Sequence, residues 1–177
     1  ITLYFLFNWK ISKGQIKREM EEAVEEIKNE VRKEFDEKNK QIAINSALRA
    51  DLRGQVCSES VGCRQISGTG GQLEFTRGAY MSPGGKAFIC LHATRQDKDG
   101  KLISNIVSTL ELGDMVTVPA SDVSHVVTEY GMVNLKGKST WQRAKLLISL
   151  AHPDFRDELE KAARRENIIT RGTVGLS

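Results

Sequence analysis

One glycine-rich run concentrates the residues best suited to chemistry: Ser67-Gly68-Thr69-Gly70-Gly71-Gln72-Leu73-Glu74-Phe75. It sits between a strand pattern and a helix pattern. Glycine at such a place lets the backbone approach a ligand and adopt positive φ. Free N–H groups at the start of the following helix can hold an anion or a developing oxyanion. A tight structural turn would use the same residues, and spacing alone leaves both readings open. No Gly-Lys-Ser or Gly-Lys-Thr follows, so the run is not a Walker A loop, and it does not match GxGxxG.

Glu129, in Val127-Thr128-Glu129-Tyr130-Gly131, leaves the end of another strand pattern. A carboxylate there can act as nucleophile or base, or simply accept a structural hydrogen bond. His92, His125 and His152 are far apart and share no metal-ligand spacing, and His152 precedes Pro153 at a helix start. Cys57, Cys63 and Cys90 are odd in number and lack CxxC spacing. That argues against a disulfide framework or structural zinc. The thiols read as reduced, packed side chains of a cytoplasmic protein, and no metal site is expected. Asp97, Lys98, Asp99 and Lys101 form a charged, solvated loop in which Lys101 could also meet a phosphate.

These residues need elements to hold them. The chain has 177 residues, 40% apolar and 28% charged, with 3 Pro. That suits about one folded domain and excludes collagen-like or wholly disordered chains. A formal charge of +3 is too mild for a nucleic-acid footprint, although it suits a small anionic ligand. The apolar opening, Ile1 to Phe7, is too short to cross a bilayer and lacks the marks of a secretory signal. From Gln15 to Lys38, Ile16, Met20, Ala23, Ile27, Val31 and Phe35 recur at helical spacing, which predicts an amphipathic helix lying on the domain or docking a partner.

Beyond Gln41 the pattern changes. Ile42 to Leu48 and Gln55 to Cys57 predict strands, and Gln72 to Met81 predicts a helix ended by Ser82-Pro83-Gly84-Gly85. Lys86 to Thr94 predicts a buried strand, followed by a hairpin over Gln96 to Lys101 turning at Asp99-Gly100. Ile103 to Leu110, Met115 to Val118 and Val123 to Thr128 predict further strands. Ser139 and Gln142 fit a capping box, and Pro153 starts a last helix running to Arg164-Arg165. The tail from Asn167 is expected to be loose. Strands with helices among them and helices gathered at the end imply an α/β layer domain with a mostly parallel or mixed sheet flanked by helices.

Several runs together resemble the acetyl-CoA hydrolase/transferase family, closest to its 4-hydroxybutyrate or butyryl-CoA:acetate CoA-transferase type. They are Ile44-Asn45-Ser46-Ala47-Leu48, Asp51-Leu52-Arg53-Gly54-Gln55-Val56, and Ser67 through Ala79. Later come Val126 through Gly131, Leu135-Lys136-Gly137-Lys138-Ser139, and Leu147 to Arg156. The likeness spans about 41–166, with 1–40 outside it and 167–177 as a tail. It implies a CoA-transferase-like (NagB/RpiA-like) C-terminal half preceded by the amphipathic helix. It also implies no prosthetic group, coenzyme A or acyl-CoA as substrate, and short-chain carboxylates as co-substrates. Neither nucleic acid nor membrane is implied as a partner, and homo-oligomerisation is left open.

The resemblance assigns roles. Gly70 and Gly71 match the loop whose N–H groups face the reacting carbonyl, and Glu129 takes a supporting role. Gly68, Gln72, Thr94, Lys101, Ser104 and Asn105 fall on the CoA side, though relatives often carry Arg or Lys where Asn105 stands. The family's glutamate nucleophile sits upstream in a His-x-Glu motif that does not occur before Ile42. The implied activity is therefore that of a transferase part inactive by itself. A non-catalytic CoA-binding module and a truncated reading frame are the alternatives.

Overall fold

The structure is a computed structural model that describes residues 40–170 and, ahead of them, Glu22, Val24, Glu25, Glu26 and Asn29. The chain divides into two units, Ile1–Asn39 and Lys40–Ser177. In the first unit the five described residues are helical and exposed, as the 15–38 pattern predicts. The remainder of that helix and the apolar opening lie outside the described residues.

The second unit runs β1 (Ile42–Ser46), β2 (Arg49–Asp51), β3 (Val56–Cys57), β4 (Ser60–Val61), β5 (Arg64–Gln65), α1 (Gln72–Met81), β6 (Lys86–Cys90), β7 (Thr94–Gln96), β8 (Leu102–Ser104), β9 (Ile106–Val107), β10 (His125–Thr128), β11 (Gly131–Asn134), α2 (Thr140–Leu150) and α3 (Pro153–Arg165). Its main sheet has the order β1-β6-β10-β11. The first three strands are parallel and the last returns antiparallel, so the sheet is mixed. A small sheet, β3-β2-β9, and two hairpins, β4-β5 and β7-β8, complete the strands.

Alternation explains the central strand. Ala87 and Ile89 of β6 are buried, as period-two side chains facing a packed layer must be. Ile89 joins Leu52, Val126, Leu135, Leu147, Leu150 and Leu159 in one core that the C-terminal helices cover. The start of α2 is fixed by its capping box, with the Ser139 N–H donating to Gln142 Oε1 at 2.9 Å. Pro153 opens α3 where its missing N–H costs nothing, and His152 Nδ1 accepts from the Asp154 N–H at 3.3 Å.

Three strand expectations change. Ile103 to Leu110 is split between β8 and β9 because Asn105 turns the corner, its N–H donating to the Ala93 carbonyl and its own carbonyl accepting from Ala50. Met115 to Val118 forms no strand. Only Val118 bridges, to Val56, while Met115 and Val116 remain exposed. The Lys86 to Thr94 strand stops at Cys90, and Leu91 through Ala93 become an irregular connection.

The expected loose tail is corrected at its first residues. Asn167 takes φ 57, and the N–H groups of Ile168 and Asn167 donate to the Ala163 and Arg164 carbonyls. This is a Schellman ending, which directs the following apolar residue back onto the helix. Ile168 and Ile169 are accordingly buried in the core. Among the described residues no helix is long and apolar enough to cross a membrane.

Candidate functional site

The three parallel strands end at one edge of the sheet. Ser46 lies opposite Cys90, and Cys90 opposite Val127. In open α/β sheets the crevice outside the carboxyl ends of the strands is the common ligand position. With β6 between them, the ends of β1 and β10 stand about two strand spacings apart, roughly 10 Å.

On the β1 side lies the glycine loop. Gln72 Nε2 donates to the Ser46 carbonyl at 3.3 Å, tying the start of α1 to the end of β1. Gly68, Gly70 and Gly71 are exposed. A Cβ added at Gly68 or Gly70 would meet nothing within 4 Å, and the nearest neighbour of one at Gly71 would be the Phe75 ring, at 3.2 Å. The Gly70 and Gly71 N–H groups have no acceptor among the described residues. One expectation is corrected here: none of these three glycines has positive φ, and Gly71 stands at φ −84. What the run offers is bare backbone rather than left-handed geometry.

On the β10 side lies Glu129. With Tyr130 it forms the two-residue connection to β11, where Gly131 at φ +135 takes a conformation closed to other residues. Glu129 Oε2 accepts from the Ala93 N–H at 2.9 Å. Desolvation pushes its pKa up, but the Ala93 and Glu129 backbone N–H groups, with His92 and His152 nearby, outweigh it and hold it below the ordinary carboxylate value. Glu129 is thus an ionised acceptor that fastens the stretch leaving β6. The ring of Tyr130 meets His152 edge-on at 5.7 Å, with the Arg156 guanidinium 5.6 Å from its centroid.

The residues expected on the CoA side are divided. Thr94 and Ser104 pair at the base of the β7-β8 hairpin, next to the Ala93–Glu129 tie. Asn105 is buried and both ends of its amide are bonded: Nδ2 donates to the His92 carbonyl at 2.9 Å and Oδ1 accepts from Arg95 Nη1 at 2.6 Å. It therefore braces the His92 to Arg95 stretch, and Arg95 brings a cation beside it. Burial and the nearby Arg49 lower the Arg95 pKa. Lys101 sits in the hairpin turn, its N–H donating to Asp97 Oδ1, outside the strand pairs that separate it from Thr94. Gln72 is spent on Ser46.

Three participants escape sequence reasoning. The Ala93 N–H carries no side-chain signal, and Arg95 looks like one more charge before a polar hairpin. Glu59 stands among serines, yet it is buried and bound to the glycine loop: Thr69 Oγ1 donates to its Oε2 at 2.5 Å. An acid flanked by hydroxyl residues is a usable hint of such a tie, although it does not name the partner.

Residues 15–163 match the acetyl-CoA hydrolase/transferase C-terminal domain, so the match opens inside the helix pattern ahead of Gln41. The butyryl-CoA:acetate CoA-transferase of Anaerostipes caccae is 53% identical over 130 residues, 73% of this chain and 29% of the relative. RipA from Yersinia pestis superposes with a TM-score of 0.64 at 44% identity, over 72% of this chain and 28% of that one. A 4-hydroxybutyrate CoA-transferase from Porphyromonas gingivalis gives a TM-score of 0.56 at 36% identity, over 75% and 28%. The chain spans less than a third of the length of each of these proteins.

Proposed function

Because the chain belongs to the acetyl-CoA hydrolase/transferase family through its C-terminal domain, we propose that it is the acyl-CoA-binding part of an acyl-CoA:carboxylate CoA-transferase acting on short-chain acids such as acetate, butyrate or 4-hydroxybutyrate. The observation that carries this reading is the exposed loop at the carboxyl edge of the sheet, with two backbone donors, Gly70 and Gly71, that nothing else in the described residues uses.

In this reading the thioester carbonyl rests against those two N–H groups. A carboxylate attacks the carbonyl carbon, and the oxyanion that forms is stabilised by the loop, a contribution of about 3 kcal/mol per donor in other acyl-transfer enzymes. Collapse expels CoA thiolate and leaves a mixed anhydride. The thiolate then attacks the enzyme's own carbonyl, releasing the acid and forming an enzyme thioester. The acceptor carboxylate next attacks that thioester, expelling CoA thiolate and forming a second anhydride, and the thiolate attacks the acceptor's carbonyl carbon, releasing the enzyme carboxylate. In this reading the attacking glutamate comes from polypeptide outside these 177 residues, since no His-x-Glu motif precedes Ile42. Glu129 is a positioning residue: its carboxylate holds Ala93 and thereby the stretch between β6 and the β7-β8 hairpin.

Calorimetric titration with CoA and acetyl-CoA tests binding, and no heat at millimolar ligand would end this reading. Transferase turnover tests the division of labour. The purified chain should show none, whereas turnover abolished by Glu129→Gln would make Glu129 the nucleophile and overturn it.

A further inference from the structure

Glu59 is a buried carboxylate with no role in the chemistry above. The residue is 3% exposed. No lysine, arginine or histidine lies within ion-pair distance among the described residues. Two hydroxyls satisfy it instead. Thr69 Oγ1 donates to Oε2 at 2.5 Å, and Thr117 Oγ1 donates to Oε1 at 3.2 Å. The proton count is closed, because Thr117 Oγ1 itself accepts from the Ser58 N–H at 3.0 Å. The Glu59 main chain adds a second tie, its carbonyl accepting from Ile66 at 2.8 Å and Ser67 at 3.2 Å. Thus both ends of one residue hold the segment that leads into Gly70 and Gly71.

A buried polar group is costly unless hydrogen bonds compensate it. An apolar residue at 59 would suit the interior better if packing were the sole requirement. What the carboxyl supplies is an acceptor for the Thr69 hydroxyl on an otherwise bare loop. A Cβ added at Gly68 or Gly70 would meet nothing within 4 Å, so Thr69 between them is the side chain that anchors this stretch.

We propose that Glu59, acting through Thr69, is the positioning residue that holds the Gly70 and Gly71 N–H groups in register for the acyl-CoA carbonyl. The proposal rests on the acyl-CoA reading for its purpose and on the hydrogen bonds for its geometry. Oxyanion donors contribute by being fixed before reaction, and this carboxylate fixes them.

The test uses the whole 177-residue chain, nitrogen-15 labelled. Thr69→Val removes the exposed hydroxyl and leaves the core intact, Thr69→Ser keeps it, and Glu59→Gln keeps an amide acceptor in place of the carboxyl. Backbone order at Gly70 and Gly71 is read by nuclear relaxation and denaturant midpoints check the fold. The native loop should give order parameters near the rigid value of about 0.85, and Thr69→Val should drop them toward about 0.6. Thr69→Ser should restore them, with Glu59→Gln in between. An acetyl-CoA titration of the same samples should weaken at least about threefold in Thr69→Val and recover in Thr69→Ser. Equal loop order in native and Thr69→Val protein overturns the proposal, whether or not acetyl-CoA binds. A loosened loop with unchanged acetyl-CoA affinity overturns it too, while native protein that never binds acetyl-CoA removes the functional reading instead and with it the purpose assigned to Glu59.

Discussion

Gly70→Ala separates a glycine required by the fold from one required by a ligand. The added methyl at Gly70 would find open space out to 4 Å, and the backbone there is not left-handed. Substituting alanine at such a position reduces the freedom of the unfolded chain and stabilises by about 0.4–1 kcal/mol. The denaturation midpoint should therefore stay level or rise slightly. Binding should move the opposite way. If the thioester lies against this backbone, the methyl enters the space of the acyl group, and overpacking of that kind costs about 1–3 kcal/mol. At about 1.4 kcal/mol per tenfold, acetyl-CoA should bind roughly five- to over a hundredfold more weakly. Free CoA, which lacks the acyl carbonyl, should lose less. The assay is a pair of calorimetric titrations with urea denaturation on the same preparations. Undiminished acetyl-CoA affinity in a normally folded Gly70→Ala protein would refute the placement of the carbonyl against the loop.

Gly85→Ala should act in the opposite sense, because a methyl there overlaps the Ala79 carbonyl oxygen and lies 2.9 Å from that of Gln41, both backbone atoms. We expect a loss of about 3 kcal/mol or more in urea denaturation. Leu147→Ala removes a fully buried side chain from the α2 face of the core and should cost about 2–5 kcal/mol by the same measurement. Glu129 has a pKa held below its ordinary value of 4.5. A depressed folded value means its tie to Ala93 is fully present above that range and is lost as pH falls through the lowered value. The Ala93 amide resonance should therefore be constant through neutral pH and shift in acid, and Glu129→Gln should abolish that acid shift.

Local chemistry made much of this fold readable. Gln72–Met81 matches the expected helix because a clean run between glycines and Ser82-Pro83 leaves little freedom at either end. Ser139 with Gln142 and Pro153 announced the last two helices for the same reason. Long-range ties were not legible. Asn105 looked like a ligand contact, yet tertiary partners at His92 and Arg95 claim both ends of its amide. Val116 carries a strand-forming side chain but, like Met115, gains no paired neighbour, so propensity went unused. Ile168 and Ile169 were masked by a tail-like composition, although a left-handed Asn167 turns them inward. At the site, the glycine spacing pointed to the loop, whereas Glu59 and the Ala93 N–H had to be found in three dimensions.

The most direct measurement is a nitrogen-15 spectrum of the chain titrated in parallel with acetyl-CoA and with CoA. If the backbone amides beside α1 cradle the acyl oxygen, the Gly70 and Gly71 protons move downfield with acetyl-CoA and far less with CoA. Resonances that respond alike to both ligands, or that stay fixed while other parts of the chain saturate, would contradict it.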